Sequence, residues 1–589
     1  MSDNNADYDL SQPITSTSGL KQGLAGYGDP HFSLFLRKVF IKALGYGEDA
    51  LSRPIVGIIN TYSGFNPCHG NTPQLIEAAK RGVQLAGGLA IDFPTISVAE
   101  SFSAPTSMFL RNLMSMDTEE MIRAQPVDAC IMIGGCDKTV PAQIMGGISA
   151  NKPVLPLITG PMMPGSHQGN RIGACTDCRN NWAAFRAGQI EIEEIAAINE
   201  ELAPTAGTCG VMGTASTMAC LTAALGLIPL KGASAPAVSA ARLRIAEETG
   251  RNAVAAAESK RTPQSLLSRE SFLNAITVLQ AIGGSTNGIV HLLAIINRMP
   301  DLQGTITLRD IDHIGKRTPL IVDLKPSGDN YMTDFHNAGG MLALLHTLRP
   351  LLQLSARTIS GQSLGEVLDA SPFKRFSYSS DIIRSLDNPL AAHSSLAKNR
   401  SLLSHSGPAV VFKNAADLAQ RIDSAHLDVT PSSVLVLQGI GPISYPGMPE
   451  AGLIPIPRKL SREGVTDMLR ISDGRMSGTA GGTIILHVSP ESALPDSIFG
   501  VVEDGDMITC DLENRSLRFE VEESVISERL AKRRLLLLGN TGNAPEPSVL
   551  TERKSRRGYR GLYERTVNQA HLGADFDFLT ASGPGEHRT

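Results

Sequence analysis

The chain reads Ile131-Met132-Ile133-Gly134-Gly135-Cys136-Asp137-Lys138-Thr139 at the end of an apolar run. That run, residues 128–133, predicts a buried strand, and the two glycines after it predict a sharp turn. In α/β folds, ligands bind at the carboxyl ends of such strands. A thiol beside a carboxylate at this position suggests a soft and a hard metal at one site. An ordinary turn with a salt-bridged Asp137 and Lys138 is the alternative.

Similar apolar runs flank this stretch on both sides. They predict further strands over residues 54–59, 93–98, 153–159 and 319–324. Helical patterns fall between the first four strands, and strands that alternate with helices predict a parallel sheet. The fold class is therefore α/β, with an N-terminal parallel-sheet domain. Glu100 follows the strand predicted over 93–98.

The amino-acid composition changes after about residue 381, where Ser and Asn become frequent. We predict a flexible lead-in over 1–30, an α/β domain that carries both metals over 31–385, a linker over 386–407, and a smaller second domain over 408–589. The second domain is expected to be β-rich and barrel-like, because it contains short β segments separated by turns. These segments are residues 409–412, 433–437, 467–471, 483–488, 501–502, 507–511 and 516–521.

Composition narrows the class of protein. The chain has 589 residues, a net charge of -5 and a pI near 6.2, which give no electrostatic case for nucleic acid or an anionic membrane as partner. No apolar run is long enough to span a bilayer, and the polar N-terminus lacks the features of a signal peptide. We therefore expect a cytoplasmic protein. Eight cysteines in so long a chain are too few for a disulfide scaffold, so metal binding becomes the question.

Three cysteines share one setting. Cys68, Cys136 and Cys209 each lie in a loop that contains Gly or Pro, after a predicted strand or before a helix. Three thiolates that meet in space would suit an iron–sulfur cluster with one iron left open to substrate. Cys175 and Cys178 form the one C-x-x-C pattern, which by pattern alone is the stronger metal or redox signal, although its neighbours are typical of a loop. The other cysteines are expected to be structural: Cys130, Cys220 and Cys510.

Two loops of the second domain also carry reactive groups. Residues 441–450 form a turn-rich loop that ends in Glu450, and residues 472–482 form a Gly/Ser loop that contains Ser477. A solvated turn and a hairpin loop or anion nest are the structural alternatives. No histidine close in sequence offers a Ser-His pair, so a hydrolase-type role for Ser477 is disfavoured.

Five motifs in order identify a resemblance. They are Asn66-Pro67-Cys68, Gly135-Cys136-Asp137-Lys138, Ala206-Gly207-Thr208-Cys209-Gly210, Pro446-Gly447-Met448-Pro449-Glu450 and Asp473-Gly474-Arg475-Met476-Ser477-Gly478. Over about residues 30–580 the chain resembles the IlvD/Edd dehydratase family. Residues 136–142 and 475–480 resemble its sugar-acid (aldonate) members, such as L-arabinonate and D-xylonate dehydratases. Gly474 follows the branched-chain members instead, and Thr566 stands where a His is common in the sugar-acid group.

The resemblance implies two metal centres and a base. An iron–sulfur cluster, 2Fe-2S in preference to 4Fe-4S, would be held by Cys68, Cys136 and Cys209. A Mg²⁺ ion would be held by Glu100, Asp137, Glu450 and Lys138 as its carbamate. Carbamylation turns an ammonium, which has only donors, into an anionic oxygen ligand. Ser477 would be the base, and Thr479 would orient substrate or Ser477.

The implied reaction is dehydration of a 2,3-dihydroxy carboxylate, in particular a sugar acid, to a 2-keto-3-deoxy acid by a homodimer or homotetramer. Mg²⁺ would stabilise the enolate, and the open iron would act as Lewis acid on the C3 hydroxyl. A branched-chain dihydroxy-acid dehydratase is the alternative within this class. A non-catalytic iron–sulfur sensor would need the cysteines but not Glu100, Lys138, Glu450 and Ser477 together. A redox protein built on Cys175 and Cys178 would not need Cys68.

Overall fold

The computed structural model describes residues 7, 9–374, 377–392, 400–538 and 556–582. Parts of all four predicted regions therefore lie outside the described residues: 1–6 and 8 of the lead-in, 375–376 of the α/β domain, 393–399 of the linker, and 539–555 and 583–589 of the second domain. Among the described residues, no helix combines the length and apolarity needed to cross a membrane.

The N-terminal region is built on a four-stranded parallel sheet, which confirms the predicted fold class. The strands are β1 Ile55–Asn60, β2 Leu89–Pro94, β3 Ala129–Gly134 and β4 Val154–Ile158, in the order β2-β1-β3-β4. Every residue of β3 and β4 is buried, as expected of strands covered on both faces. The carboxyl ends of β1, β3 and β4 therefore lie side by side at one edge.

Helices connect the strands and cover both faces of the sheet. Those before β5 are α1 Pro30–Lys42, α2 Glu48–Leu51, α3 Thr72–Leu85, α4 Ser107–Ala124 and α5 Thr139–Ala150. A hairpin follows, formed by β5 Gly165–His167 and β6 Asn170–Ile172. After it come α6 Thr176–Arg186, α7 Ile192–Glu201, α8 Thr214–Ala224, α9 Ala240–Ser259, α10 Pro263–Leu266, α11 Arg269–Ala281, α12 Asn287–Ile296, α13 Leu308–Arg317, α14 Met332–Asn337, α15 Gly340–Leu348, α16 Leu364–Ala370 and α17 Ser377–Ile382.

Two of the predicted strands were wrong. The strand placed at 93–98 lies at 89–94, because β2 is an edge strand in which exposed and buried residues mix and no continuous apolar run marks it. Glu100 consequently lies six residues beyond the strand, in the turn that leads to α4. Residues 319–324 are mostly buried but form only isolated bridges, Leu320 with Ala391 and Val322 with Ile383, because irregular chain runs beside them.

The second region contains a six-stranded sheet that curls into a half-barrel, in agreement with the β-rich, barrel-like prediction. Its order is β10-β9-β8-β7-β11-β12, in which the first four strands are parallel and the last two antiparallel. The strands are β7 Ser404–Phe412, β8 Val434–Leu437, β9 Arg470–Ser472, β10 Ile484–Ile485, β11 Met507–Asp511 and β12 Ser516–Phe519. Residues 501–502 were wrongly predicted as β, since Phe499–Val501 is a 3-10 turn. The helices are α18 Ala415–Arg421, α19 Arg458–Arg462, α20 Glu523–Leu538 and α21 Gly558–Thr566.

The C-terminal segment, residues 556–582, leaves the second sheet and packs on the first region. Tyr563 and Phe576 are buried with Phe109 of α4 in one apolar cluster. Asp575 forms an ion pair with Arg298, at 2.7 Å, in which both side chains are fully buried. Arg298 also donates to Ser115 Oγ of α4, at 2.8 Å. The two regions are therefore joined by the last described segment of the chain as well as by the candidate active site.

We expect Asp575→Ala to be one of the most destabilising single changes in the protein. It leaves the Arg298 guanidinium buried without its counter-ion, which costs about 3–5 kcal/mol. The measurement is the midpoint of the first urea-induced transition. Arg557→Ala, at an exposed position in the same segment, is the control and should change stability by less than about 0.5 kcal/mol. Equal midpoints for the two variants would contradict the anchoring role.

Candidate active site

The three thiols singled out from the sequence lie at the carboxyl edge of the first sheet. Cys68 is in the short turn Pro67–His69 that follows β1, and Cys136 lies between β3 and α5. Cys209 lies beyond β4, because Thr208 N donates to Gly160 O at 2.9 Å and Met162 N donates to Thr208 O at 2.8 Å. The parallel order of the strands thus brings together residues that are far apart in the chain.

Cys68 and Cys136 are in direct contact, and Cys209 lies close to them. A hydrogen bond shared with Cys68, together with burial, raises the pKa of Cys136 well above that of a free thiol. Cys209 lies near Cys68, and its Sγ is 3.4 Å from Cys175 Sγ. The hydrogen bond with Cys175 and burial raise the pKa of Cys209 well above that of a free thiol. A bound cation would reverse this, since it favours thiolates and releases their protons.

His69, which sequence reasoning did not assign, organises this edge. It is fully buried, and its Nε2 accepts hydrogen bonds from the backbone N–H groups of Gly135, at 3.1 Å, and Cys136, at 3.2 Å. Nδ1 must then carry the proton and donate to Thr61 O, at 3.0 Å. Burial lowers the pKa of His69 to about 4, so the ring is neutral at pH 7. Its position directly after Cys68 in the sequence was the available signal.

We expect His69→Ala to loosen the turn that carries Cys136. Two buried backbone N–H groups lose their acceptor, each at a cost of about 1–3 kcal/mol. Metal affinity should fall by about 10–100-fold, as for other residues that position a ligand. Iron per chain after anaerobic purification and dialysis is the measurement, with the exposed His426→Ala as control. Wild-type iron retention in His69→Ala would contradict the prediction.

Gly135 shows how closely the chain packs here. A Cβ at this position would lie 1.7 Å from Thr159 Oγ1, and that hydroxyl donates to Cys68 O at 2.7 Å. No side chain can therefore be accommodated at residue 135 without breaking the bond that holds the Cys68 turn. The absence of a side chain at Gly135 therefore lets the chain segments that follow β1, β3 and β4 pack closely against one another.

Three carboxylates lie beside the thiols. Glu100, Asp137 and Glu450 each place one oxygen within 4.8 Å of those of the other two. Asp137 is joined to the thiols directly, since Cys136 Sγ donates to its Oδ1 at 3.4 Å. Carboxylate oxygens are the ligands that Mg²⁺ uses in proteins. The donor set therefore divides into a soft half and a hard half that meet at Cys136 and Asp137.

Two cations hold the carboxylates together. Lys138, fully buried, donates to Asp137 and, at 3.2 Å, to Glu100. Arg475 donates to Glu450 at 2.7 Å and to Glu100 at 2.8 Å, and so bridges the two sheets. Arg475 stands within a motif quoted from the sequence, but sequence reasoning gave it no role, because only the tertiary structure places Glu100 and Glu450 on either side of it.

The pKa values of the ionisable groups in this cluster are shifted from their ordinary values. Burial raises the pKa of Glu450 to about 7. Burial also favours a higher pKa for Glu100, but the positive charges of Lys138 and Arg475 outweigh burial and lower the pKa. Burial and Arg475 oppose ionisation of Lys138, yet Asp137, Glu100 and Glu450 raise its pKa. Perturbed groups gathered in this way are typical of functional sites.

The loops of the second region are docked on the first. Thr106 Oγ1, the cap of α4, donates to Gly447 O at 2.8 Å, and a Cβ on Gly447 would lie 2.1 Å from that hydroxyl. Glu450 opens the turn Glu450–Leu453 that follows. The close approach at Gly447 therefore fixes how far Glu450 reaches toward the sheet edge.

Ser477 lies on the loop between β9 and β10. Its Oγ is 2.8 Å from Thr479 Oγ1, so one hydroxyl donates to the other. The loop is clasped from the first region, because Asn287 Nδ2 donates to Met476 O at 2.9 Å and Thr176 Oγ1 donates to Thr479 O at 2.8 Å. Ser477, Thr479 and Arg475 therefore share one rigid loop, as the sequence motif placed them.

A cavity of about 1300 Å³ adjoins this loop. It runs between α6, α7 and the segments around β9, and its walls include Cys175, Arg179, Trp182 and Thr479. Arg179 also lies 3.6 Å from Glu450. The cavity is large enough for a small polar substrate, and it borders the site at Cys175, Arg179 and Thr479.

The residues present fit both groups that the sequence suggested. Three thiols gathered at one sheet edge suit a soft iron–sulfur centre, and three converging carboxylates suit a hard divalent ion. The structure brings together Cys68, Cys136, Cys209, Glu100, Asp137, Lys138 and Glu450, and the loop of Ser477 and Thr479 adjoins them through Arg475. It adds His69 and Arg475, and it places Cys175 beside Cys209.

Known proteins with similar sequences cover nearly the whole chain. Residues 53–367 match the N-terminal domain of dihydroxy-acid/6-phosphogluconate dehydratases, and residues 374–574 match the C-terminal domain. L-arabonate dehydratase of Azospirillum brasilense is 39% identical, over 94% of this chain and 95% of the relative. 6-Deoxy-6-sulfo-D-gluconate dehydratase of Pseudomonas putida is 37% identical, over 91% and 92%. A dihydroxy-acid dehydratase of Methanococcus maripaludis is 32% identical, over 91% and 97%.

Proposed function

Because the chain belongs to the dihydroxy-acid/6-phosphogluconate dehydratase family, we propose that it is a hydro-lyase that converts a sugar acid to its 2-keto-3-deoxy acid. The observation that carries this proposal is the contact between a soft and a hard donor set, where Cys136 meets Asp137. Dehydration of a 2,3-dihydroxy acid needs help at two adjacent carbons, and this pairing offers it. The family is metal-dependent.

The finer assignment of the metals is part of the proposal. Cys68, Cys136 and Cys209 would hold an iron–sulfur cluster, 2Fe-2S in preference to 4Fe-4S, and Glu100, Asp137 and Glu450 would hold Mg²⁺. When bound, these groups supply a Lewis acid for the C3 hydroxyl and positive charge for the developing enolate.

The residues around the donor set have separate tasks. Ser477 takes the C2 proton, and Thr479, hydrogen-bonded to it, fixes the direction of its oxygen. Arg475 fixes Glu100 and Glu450 relative to each other. The hydrogen bonds from Asn287 and Thr176 fix the loop, and Thr479 fixes the Ser477 hydroxyl. The base therefore keeps its position while substrate enters from the cavity.

Lys138 is proposed to act as its carbamate, a further ligand of the hard ion. Only the neutral amine reacts with CO₂, and three carboxylates raise the pKa of Lys138 and disfavour that form. A divalent ion at the carboxylates offsets this effect, so carbamylation should depend on Mg²⁺. Incubation with ¹³C-bicarbonate should give a carbamate NMR signal that disappears on chelation and is absent from Lys138→Arg.

A panel of substrates tests the function. The anaerobically purified enzyme should release a 2-keto acid from pentonates or hexonates such as L-arabinonate, D-xylonate and D-gluconate. Activity should be lost with EDTA and return with Mg²⁺, and the protein should show the visible absorption of an iron–sulfur cluster. A colourless, iron-free protein with full activity would refute the proposal.

The second candidate is a branched-chain dihydroxy-acid dehydratase. Its support is Gly474, which follows that branch of the family, and the similarity to the Methanococcus maripaludis enzyme. Greater identity to the L-arabonate enzyme favours the sugar acid. A higher kcat/KM for 2,3-dihydroxy-isovalerate than for every aldonate would reverse the order of the two candidates.

We also propose that the enzyme works in the cytoplasm as a homodimer or homotetramer on a free small molecule, without nucleic acid or membrane. Sedimentation of the holoenzyme at micromolar concentration, together with fractionation of the cells that express it, tests both statements. A monomer with full activity would refute the oligomeric part.

A further inference from the structure

A fourth thiol lies against the proposed cluster ligands. Cys175 Sγ is 3.4 Å from Cys209 Sγ, and Cys178, one turn further along α6, is hydrogen-bonded to Cys175. Two thiolates on one tetrahedral metal with metal–sulfur bonds of about 2.3 Å are about 3.8 Å apart. The observed contact is therefore a few tenths of an ångström from the separation that shared ligation requires.

The backbone around Cys175 is held rigidly in this position. Gly210 N donates to Ala174 O at 3.2 Å, which joins the residue after Cys209 to the residue before Cys175. Asp177 accepts hydrogen bonds from Gly173 N, at 2.8 Å, and from Lys325 and Tyr331 side chains, at 2.9 and 2.8 Å. The start of α6 is thus tied down from both sides, and the approach of the two sulfurs is a property of the fold.

We propose that Cys175 is a fourth cysteine ligand of the cluster and shares an iron with Cys209 while no substrate is bound. This inference rests on the proposed function. The Cys175 thiol binds as a thiolate and gives its proton to water in the cavity that it lines, and no electron is transferred. Substrate entry reverses the step, and Cys178, already hydrogen-bonded to Cys175, holds the displaced sulfur. A cluster closed in this way is shielded from oxidants between turnovers.

Cys178 provides the matched control, because it shares the turn of helix with Cys175. We expect Cys175→Ser to shift the electron paramagnetic resonance g values of the dithionite-reduced cluster and to shorten the cluster's half-life in air by about tenfold, a typical effect of losing a residue that supports a metal. Cys178→Ser should leave the g values unchanged. Identical spectra and half-lives for the wild type and both variants would overturn the inference.

A second measurement uses the wild-type holoenzyme and so does not depend on how the variants fold. Anaerobic alkylation with iodoacetamide, followed by peptide mass spectrometry, should modify Cys178 while Cys175 stays protected. Removal of the cluster with a chelator should make both reactive. Equal alkylation of Cys175 and Cys178 with the cluster intact would overturn the inference.

The outcomes separate this inference from the function on which it rests. A dehydratase that contains the cluster, but in which Cys175 is reactive and Cys175→Ser is spectroscopically silent, refutes the fourth ligand alone. An active wild type without iron refutes both.

Discussion

In the Ser477→Ala variant, kcat for dehydration falls by roughly 10²–10⁴-fold while the cluster and its visible spectrum stay intact, since a positioned base contributes about that factor. The reason is local. Ser477 reaches neighbours through its hydroxyl, which is bonded to Thr479 Oγ1 at 2.8 Å, so its removal takes away the proposed base without touching a metal ligand. Initial rates of keto-acid formation at saturating aldonate measure the effect.

Two controls make the Ser477 result specific. Thr479→Val removes the partner hydroxyl but leaves the base, and should reduce kcat by about tenfold, in line with the loss of one hydrogen bond. Thr479→Ser keeps both hydroxyls and should keep most of the activity. Full turnover by Ser477→Ala with an unchanged cluster would rule out this residue as the base.

Cys136→Ser should abolish both the cluster and the activity. Cys136 stands at the junction of the soft and hard donor sets, in contact with Cys68 and Asp137. A hydroxyl is a poor replacement, because iron–sulfur centres require soft thiolates. We expect iron per chain to fall to about a tenth or less, since even indirect supports of a metal are worth 10–100-fold in affinity.

Cys130→Ala is the matched control for Cys136→Ser. Cys130 is on β3, the strand that leads to Cys136, and is fully buried among apolar side chains in the core on one face of the sheet. Its loss should cost some stability but neither iron nor activity. An active, iron-replete Cys136→Ser variant would contradict the ligand assignment, and an iron-free Cys130→Ala variant would show that the core, not the ligand, controls loading.

The local hydrophobic pattern of the sequence was sufficient to predict a strand where all residues of that strand are buried. β3 and β4 are buried throughout, and their apolar runs predicted them to within a residue or two. β2 is at the edge of the sheet, where mixed burial hides the pattern. Residues 319–324 are as apolar as a strand, but no neighbouring strand pairs with them.

The candidate site divides in a similar way. Side chains that stand in loop motifs, such as Cys136, Asp137 and Glu450, could be chosen from the sequence because their chemistry is unusual for their setting. The importance of His69, Arg475 and Cys175 arises from contacts with residues distant in the chain: the 134–136 turn, Glu100 and Cys209. No local pattern carries that information.

The division of ligands between the two sheets also sets an order of assembly. The three thiols, and the strands that place them, are all made by residue 209, whereas Glu450, Arg475 and Ser477 lie on loops of the second region. Domains generally fold from the N-terminus as the chain emerges. The edge that carries the proposed iron ligands is therefore made before the half that completes the proposed magnesium site exists. On the proposed assignment, iron would have access to its thiols first, and the site would be complete only after the C-terminal segment has packed on α4.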